Sequence, residues 1–101
     1  MFNTIKTIDI YRLEEEVIKR IGENEFSKEL DRYLFDEVCN DSYNSITIAT
    51  LKDEITDIND GYNNYFIGEE EEYILTLNTI IEIFEEAGIK EEEEVLVSIS
   101  W

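Results

Sequence analysis

The chain has no proline, no histidine, a single cysteine, four glycines, and only eight lysines and arginines among its 101 residues. Each shortage excludes something. Without histidine there is no imidazole base, no imidazole metal ligand and no side chain that ordinarily titrates near neutrality. The lone Cys39 permits neither an internal disulfide nor a cysteine-built zinc site. It closes an apolar stripe with no basic neighbour to lower its pKa, and so reads as a small core residue. No linker or internal repeat divides the chain, and 101 residues make one domain, 1–101. No apolar run approaches a membrane span. The start, Met1 to Lys6, lacks the apolar core of a signal peptide, so a cytoplasmic setting with no membrane partner is expected.

What the chain does have is acid. Twenty-six aspartates and glutamates give a formal charge of −18, against magnitudes of about 2 to 8 that suffice for solubility. With 43% hydrophobic and 12% aromatic residues, the composition is still that of a globular domain. Such a field repels nucleic acid and anionic lipid and attracts cationic surfaces. The charge is uneven, with 11 acids and 6 bases in residues 1–50 and 15 acids and 2 bases in residues 51–101.

Periodicity predicts an α+β fold. Residues 2–8 read as a short strand or an ordered arm. Ile10, Leu13, Val17, Ile18 and Ile21 mark one helix face, with Thr7 or Asp9 as the N-cap and Gly22 as the stop. A second helix is expected from Asn24 to about Val38, on Phe26, Leu30, Tyr33, Leu34 and Val38. Asn40 to Asn44 is turn chemistry and Ser45 to Leu51 reads as a strand. Residues 51–59 fit two patterns. Leu51, Ile55 and Ile58 form a helical stripe, but Asn59-Asp60-Gly61 before Tyr62 to Ile67 is a hairpin signal, and strand is the preferred reading.

The last third is the clearest. From Glu69 to Ala87, Tyr73, Leu77, Ile80, Ile81 and Phe84 recur at helical spacing, widened by Ile74 and Ala87. Gly88 ends this helix, with Ile89 placed for the accompanying apolar contact. Val95, Val97, Ile99 and Trp101 then alternate with Leu96, Ser98 and Ser100 as a strand. The expected architecture is two N-terminal helices, a mostly antiparallel sheet of three or four strands, one long acidic helix packed on it, and a C-terminal strand.

Catalytic and metal chemistry find no support. With Gly61 at the sixth place of a calcium loop, Thr56, Ile58 and Ile67 fall where carboxylates are needed. The remaining acids come as solvated runs, not as isolated carboxyls with shifted pKa values. No phosphate-cradling glycine loop or activated nucleophile is present. No enzyme, no cofactor and no metal is expected.

The candidate site is therefore a partner-binding face. Glu69, Glu70, Glu71 and Glu72 occupy a first helical turn, where the macrodipole welcomes acids. Glu82, Glu85 and Glu86 approach the other end, where it does not, and Glu91, Glu92, Glu93 and Glu94 follow directly. Asp57 and Asp60 add charge from the preceding segment. Tyr62 and Tyr65 offer aromatic anchors of the kind favoured at interfaces, although ordinary strand packing would also use them. Carboxylates at i and i+4 lie about 6 Å apart on a helix, and duplex DNA carries one charge per roughly 1.7 Å of axis, so rows of glutamate can imitate a phosphate track.

Asn44 to Thr47, Asn59 to Gly61, Tyr62 to Ile67 and Glu69 to Ala87 together resemble the small acidic inhibitors of phages and mobile elements, the anti-CRISPR and antirestriction proteins that imitate DNA. The order of a strand beginning Asn-Ser-Ile-Thr, an Asn-Asp-Gly hairpin, a return strand and an acidic helix is similar to type II anti-CRISPR proteins. The likeness spans less than half of the chain. It implies a non-enzymatic inhibitor in a bacterial host, a monomer or small homo-oligomer, that binds a basic nuclease or CRISPR effector and no nucleic acid itself. Helix, short turn and final strand also resemble barstar-type ribonuclease inhibitors, which implies the alternative of an immunity protein or antitoxin.

Overall fold

The computed structural model describes residues 6–24, 26–28, 30–34, 42–60 and 70–99, with Lys6, Asp31, Arg32, Ser42 and Glu70 placed by backbone alone. Its elements are β1 (Lys6–Asp9), α1 (Ile10–Ile21), α2 (Leu30–Leu34), β2 (Ser42–Ile46), α3 (Ile48–Asn59), α4 (Glu70–Glu86) and β3 (Val95–Ile99). The fold is α+β, as the periodicity predicts. The last strand is the middle one, in the order β1-β3-β2. β1 runs parallel to β3 with Ile8 opposite Val97, and β2 runs antiparallel with Ile46 opposite Val95.

Alternation decides which side of this sheet is dry. Val95, Val97 and Ile99 are buried and share their face with Ile46, whereas Thr7, Tyr43 and Ser45 on the opposite face are exposed. The helices cover the first face, with α4 packed against both α1 and α3. Tyr73, Leu77, Ile80, Ile81 and Phe84 are all buried, as their spacing requires, while Ile74 is half-buried and Ala87 is exposed. The expected stripe is therefore one residue too wide.

The helix ends follow from local chemistry. The Asp9 carboxylate accepts the Tyr11 backbone N–H at 2.8 Å and caps α1, which stops at Gly22, where φ is 83°. At the end of α4 the Gly88 N–H donates to the Glu85 carbonyl and the Ile89 N–H to the Phe84 carbonyl, both at 3.0 Å. That pair of bonds is the Schellman motif expected at Gly88. Ile89 and Phe84 are both buried, which supplies its apolar contact. Gly88 has φ of 82° and nothing within 4 Å of where a Cβ would stand, so only the backbone penalty acts. Gly88→Ala is expected to cost about 1 to 2 kcal/mol. A thermal melt should fall by about 4 to 8 °C for each of those kcal/mol.

Two expected elements differ. The strand predicted over Ser45 to Leu51 ends at Ile46, and residues 51–59, read as strand, belong to α3. The physical reason begins at Thr47. Its extended backbone (φ −124°, ψ 157°) and side-chain oxygen, which accepts the Thr50 N–H at 3.1 Å, make it an N-cap. From there Ile48, Leu51 and Ile58 are buried and Ile55 half-buried on one helical face. Burial along that face outweighs the strand preference of β-branched residues. Asp60 is the C-cap of this helix, its N–H bonded to the Thr56 carbonyl at 2.9 Å, and so does not open a hairpin after a strand. Gly61 and the expected return strand Tyr62 to Ile67 lie outside the described residues.

The second helix is shorter where it is described. Asn24 acts as a start signal, its side-chain oxygen accepting the Phe26 and Ser27 N–H groups at 2.8 Å each. Residues 26–28 form a turn, and α2 begins at Leu30. Phe26 is buried edge-on against Tyr33 at 4.8 Å and Tyr73 at 4.9 Å. This trio joins the α2 region to the first turn of α4, and each such pair adds about 0.5 to 1.5 kcal/mol beyond its buried area. Val38 and Cys39 lie outside the described residues.

Candidate acidic interface

The acids do not form one row. The Ala49 N–H at the start of α3 donates to the Glu91 carbonyl at 3.0 Å, and the Lys52 ammonium stands 3.3 Å from the Glu91 carboxylate. The beginning of α3 therefore meets the end of α4, and these two packed helices run antiparallel. Asp57 and Asp60, at the end of α3, fall toward the start of α4, where Glu71 and Glu72 are exposed. Glu82, Glu85, Glu86 and the loop 91–94 gather at the opposite end. Between Glu72 and Glu82 the helix carries no carboxylate for ten steps, roughly 15 Å at the helical rise of 1.5 Å. Along α4 the expected phosphate-like track thus falls into two acidic poles separated by a neutral stretch that holds the half-exposed Leu75, while α3 carries Asp53 and Glu54 in its middle turns.

The second pole is denser, and part of it is structural. The Arg20 guanidinium donates to both Glu86 oxygens, at 2.6 and 2.9 Å, and to Glu16 at 3.2 Å, tying the end of α1 to the end of α4. Bidentate geometry makes this a well-defined ion pair in spite of its exposure. The hydrogen bonds from Arg20 hold the Glu86 carboxyl below its ordinary pKa. Glu91 pairs with Lys52, and the Glu93 carboxylate accepts the Lys90 N–H at 3.1 Å, pinning the turn whose other bond runs from the Glu93 N–H to the Lys90 carbonyl. Glu86, Glu91 and Glu93 therefore have structural roles, of which those of Glu86 and Glu91 depend on partners distant in the chain. Glu82, Glu85, Glu92 and Glu94 are exposed and make no side-chain bond among the described residues.

Linkage fixes the sign of one test. A carboxyl held low in the folded state contributes stability above its unfolded pKa and loses it as pH falls through the folded value. Glu86→Gln is expected to lower the melting temperature at pH 7, with the gap to the parent chain closing below the carboxylate range. The effect is small and shrinks with salt, since both groups are solvated. An unchanged gap at low pH would mean that the carboxylate charge is not what matters.

At the first pole Tyr73 is buried beneath the charged turn. Burial, reinforced by Glu54 and Tyr33, pushes its hydroxyl well above the ordinary range, so it stays protonated and donates to the Tyr33 carbonyl at 3.2 Å. Glu70 is placed as the first residue of α4, while Glu69, Tyr62 and Tyr65 lie outside the described residues. The exposed large hydrophobic side chains among the described residues are Tyr11, Tyr43 and Leu75. Tyr43 is 66% exposed on the open face of the sheet, which alternation from β3 alone cannot reveal.

Among the described residues, no group of three or more carboxylate or cysteine side chains is gathered as a metal would require, and no helix is long and apolar enough to cross a membrane. Comparison with protein families, with curated proteins and with solved structures finds no match.

Proposed function

We propose that this protein is a non-enzymatic acidic inhibitor whose second acidic pole enters the nucleic-acid groove of a basic DNA- or RNA-binding enzyme, such as a restriction nuclease or CRISPR effector. One observation carries the reading. Glu85 stands exposed and, among the described residues, unpaired in the last turn of α4, which has no basic residue, with Glu82 one turn before it and Glu92 and Glu94 equally exposed and unpaired in the loop that follows. Each acid in that last turn costs about 0.3 to 1 kcal/mol against the dipole. A domain that keeps such charges, and of the acids around this end of α4 uses Glu86, Glu91 and Glu93 in its own fold, presents a surface suited to cations supplied from outside.

The test is inhibition of a panel of restriction nucleases and RNA-guided nucleases. The expected result is inhibition of at least one, weakening as sodium chloride rises and relieved by excess non-cognate duplex. Inhibition indifferent to both salt and duplex would overturn mimicry. The alternative is an immunity protein that plugs a toxin. It draws on the succession of α4, the Gly88 turn and β3, the portion whose sequence resembles barstar-type inhibitors. Protection of cells against a toxin that has no nucleic-acid groove would select it.

A further inference from the structure

Beside the second pole the surface opens into a cavity of about 500 Å³ between β1, α1 and the end of α4. Its apolar lining comes from β1, α4, β3 and the turn after α4, chiefly Ile8, Ile83, Phe84, Ile89 and Val95. Ala87 contributes from the rim and is exposed. Size and lining match those of a site that takes an apolar group. Its setting says which kind. Ala87 and Val95 directly follow Glu86 and Glu94, so two lining residues are continuous in the chain with the carboxylates of the second pole. The polar part of the lining is Thr7, Asp9, Arg12 and Glu16, of which Arg12 is exposed and makes no side-chain bond among the described residues, which leaves its five donors available for main-chain carbonyls.

Resting on the proposed inhibitor reading, we propose that this cavity is the socket for one apolar side chain projecting from the cationic surface of the partner. Lysines and arginines flanking that side chain meet Glu82, Glu85, Glu92 and Glu94. Arg12 takes a carbonyl of the same segment. The acids set the rate and sign of the encounter, and the socket sets which cationic surface is held. A buried anchor surrounded by a charged, solvated rim is the usual division of labour at a protein interface.

Two short peptides test this, both rich in lysine and arginine, one with a central tryptophan and the other with alanine in its place. The tryptophan peptide is expected to bind about tenfold more tightly, the scale of one side chain partly removed from water. In methyl NMR it should shift Ile83, Ala87 and Ile89. Ala87→Phe fills the socket from an exposed position, and it should equalise the two peptides without moving the melting temperature by more than a few degrees. If that variant does not fold, Ala87→Leu takes its place, and the methyl shifts of the unaltered protein stand as an independent reading. Equal binding of both peptides, sensitive to salt and lost on Glu92→Lys with Glu94→Lys, would overturn the socket and keep the acidic interface. Shifts centred on Leu75 or Tyr43 would overturn the socket as well. If neither peptide binds at millimolar concentration and low salt, both readings fall.

Discussion

Replacing Glu85, Glu92 and Glu94 together with lysine is expected to abolish partner binding and leave the domain folded. The three side chains are exposed and bonded to nothing in the described fold, so their reversal removes no packing and no hydrogen bond. It changes the formal charge from −18 to −12. Lysine at position 85 also faces the helix dipole with the right sign, so the melting temperature should hold or rise slightly. At the interface each reversal turns an attraction into a repulsion. Together they are worth on the order of 3 kcal/mol or more, a loss of at least about a hundredfold in affinity. Titration calorimetry with an inhibited nuclease measures it. A matched comparison sets Glu92→Lys with Glu94→Lys against Glu15→Lys with Glu23→Lys, two exposed acids on the less acidic half. Equal binding by the two double variants would reduce the acidic pole to a solvated surface.

The choice of those three acids depends on what the chain alone does not show. Six glutamates, at positions 85, 86 and 91 to 94, look equivalent in sequence. The fold separates them, because Arg20 reaches Glu86 across 66 residues and Lys52 reaches Glu91 from another helix. Pairings at that separation have no periodicity to betray them. Glu93 is different. Its bond to the Lys90 N–H spans three residues, and such a turn is local enough to be read in principle.

The same distinction runs through the fold. Gly88 and β3 were legible because one glycine conformation and one alternation decide them, and both signals lie within a few residues. α3 was not, because Ile48, Thr50, Ile55, Thr56 and Ile58 suit a strand as well as a helix. The choice belongs to Thr47, which caps, and to α4, whose packed face needs a helical neighbour. The neutral gap in α4 was written in the sequence all along. Only the antiparallel placement of α3 turned it into two poles.

Phe84→Ala is the substitution expected to cost most in stability. Phe84 is 1% exposed, and its carbonyl accepts one of the two bonds that close α4. Its ring lies in the common hydrophobic core, where α4 packs against α1 and α3, and also lines the proposed socket. Truncating a buried phenylalanine removes its transfer free energy and leaves a cavity, together about 3 to 5 kcal/mol. A domain of this size has about 5 to 15 kcal/mol in all, so melting should drop on the order of 15 to 25 °C. Leu75→Ala, half-exposed on the same helix, is the contrast and should stay within about 0.5 kcal/mol. Salt supplies a second reading. Self-repulsion at −18 is screened over about 10 Å at 0.1 M, so melting of the parent and of Phe84→Ala should rise in parallel with sodium chloride. The gap between them, being apolar in origin, should stay nearly constant. A loss below about 1 kcal/mol would mean that the core collapses around the missing ring. A gap that closes with salt would mean that the charges at the end of α4, and not the ring beneath them, hold that end of the fold in place.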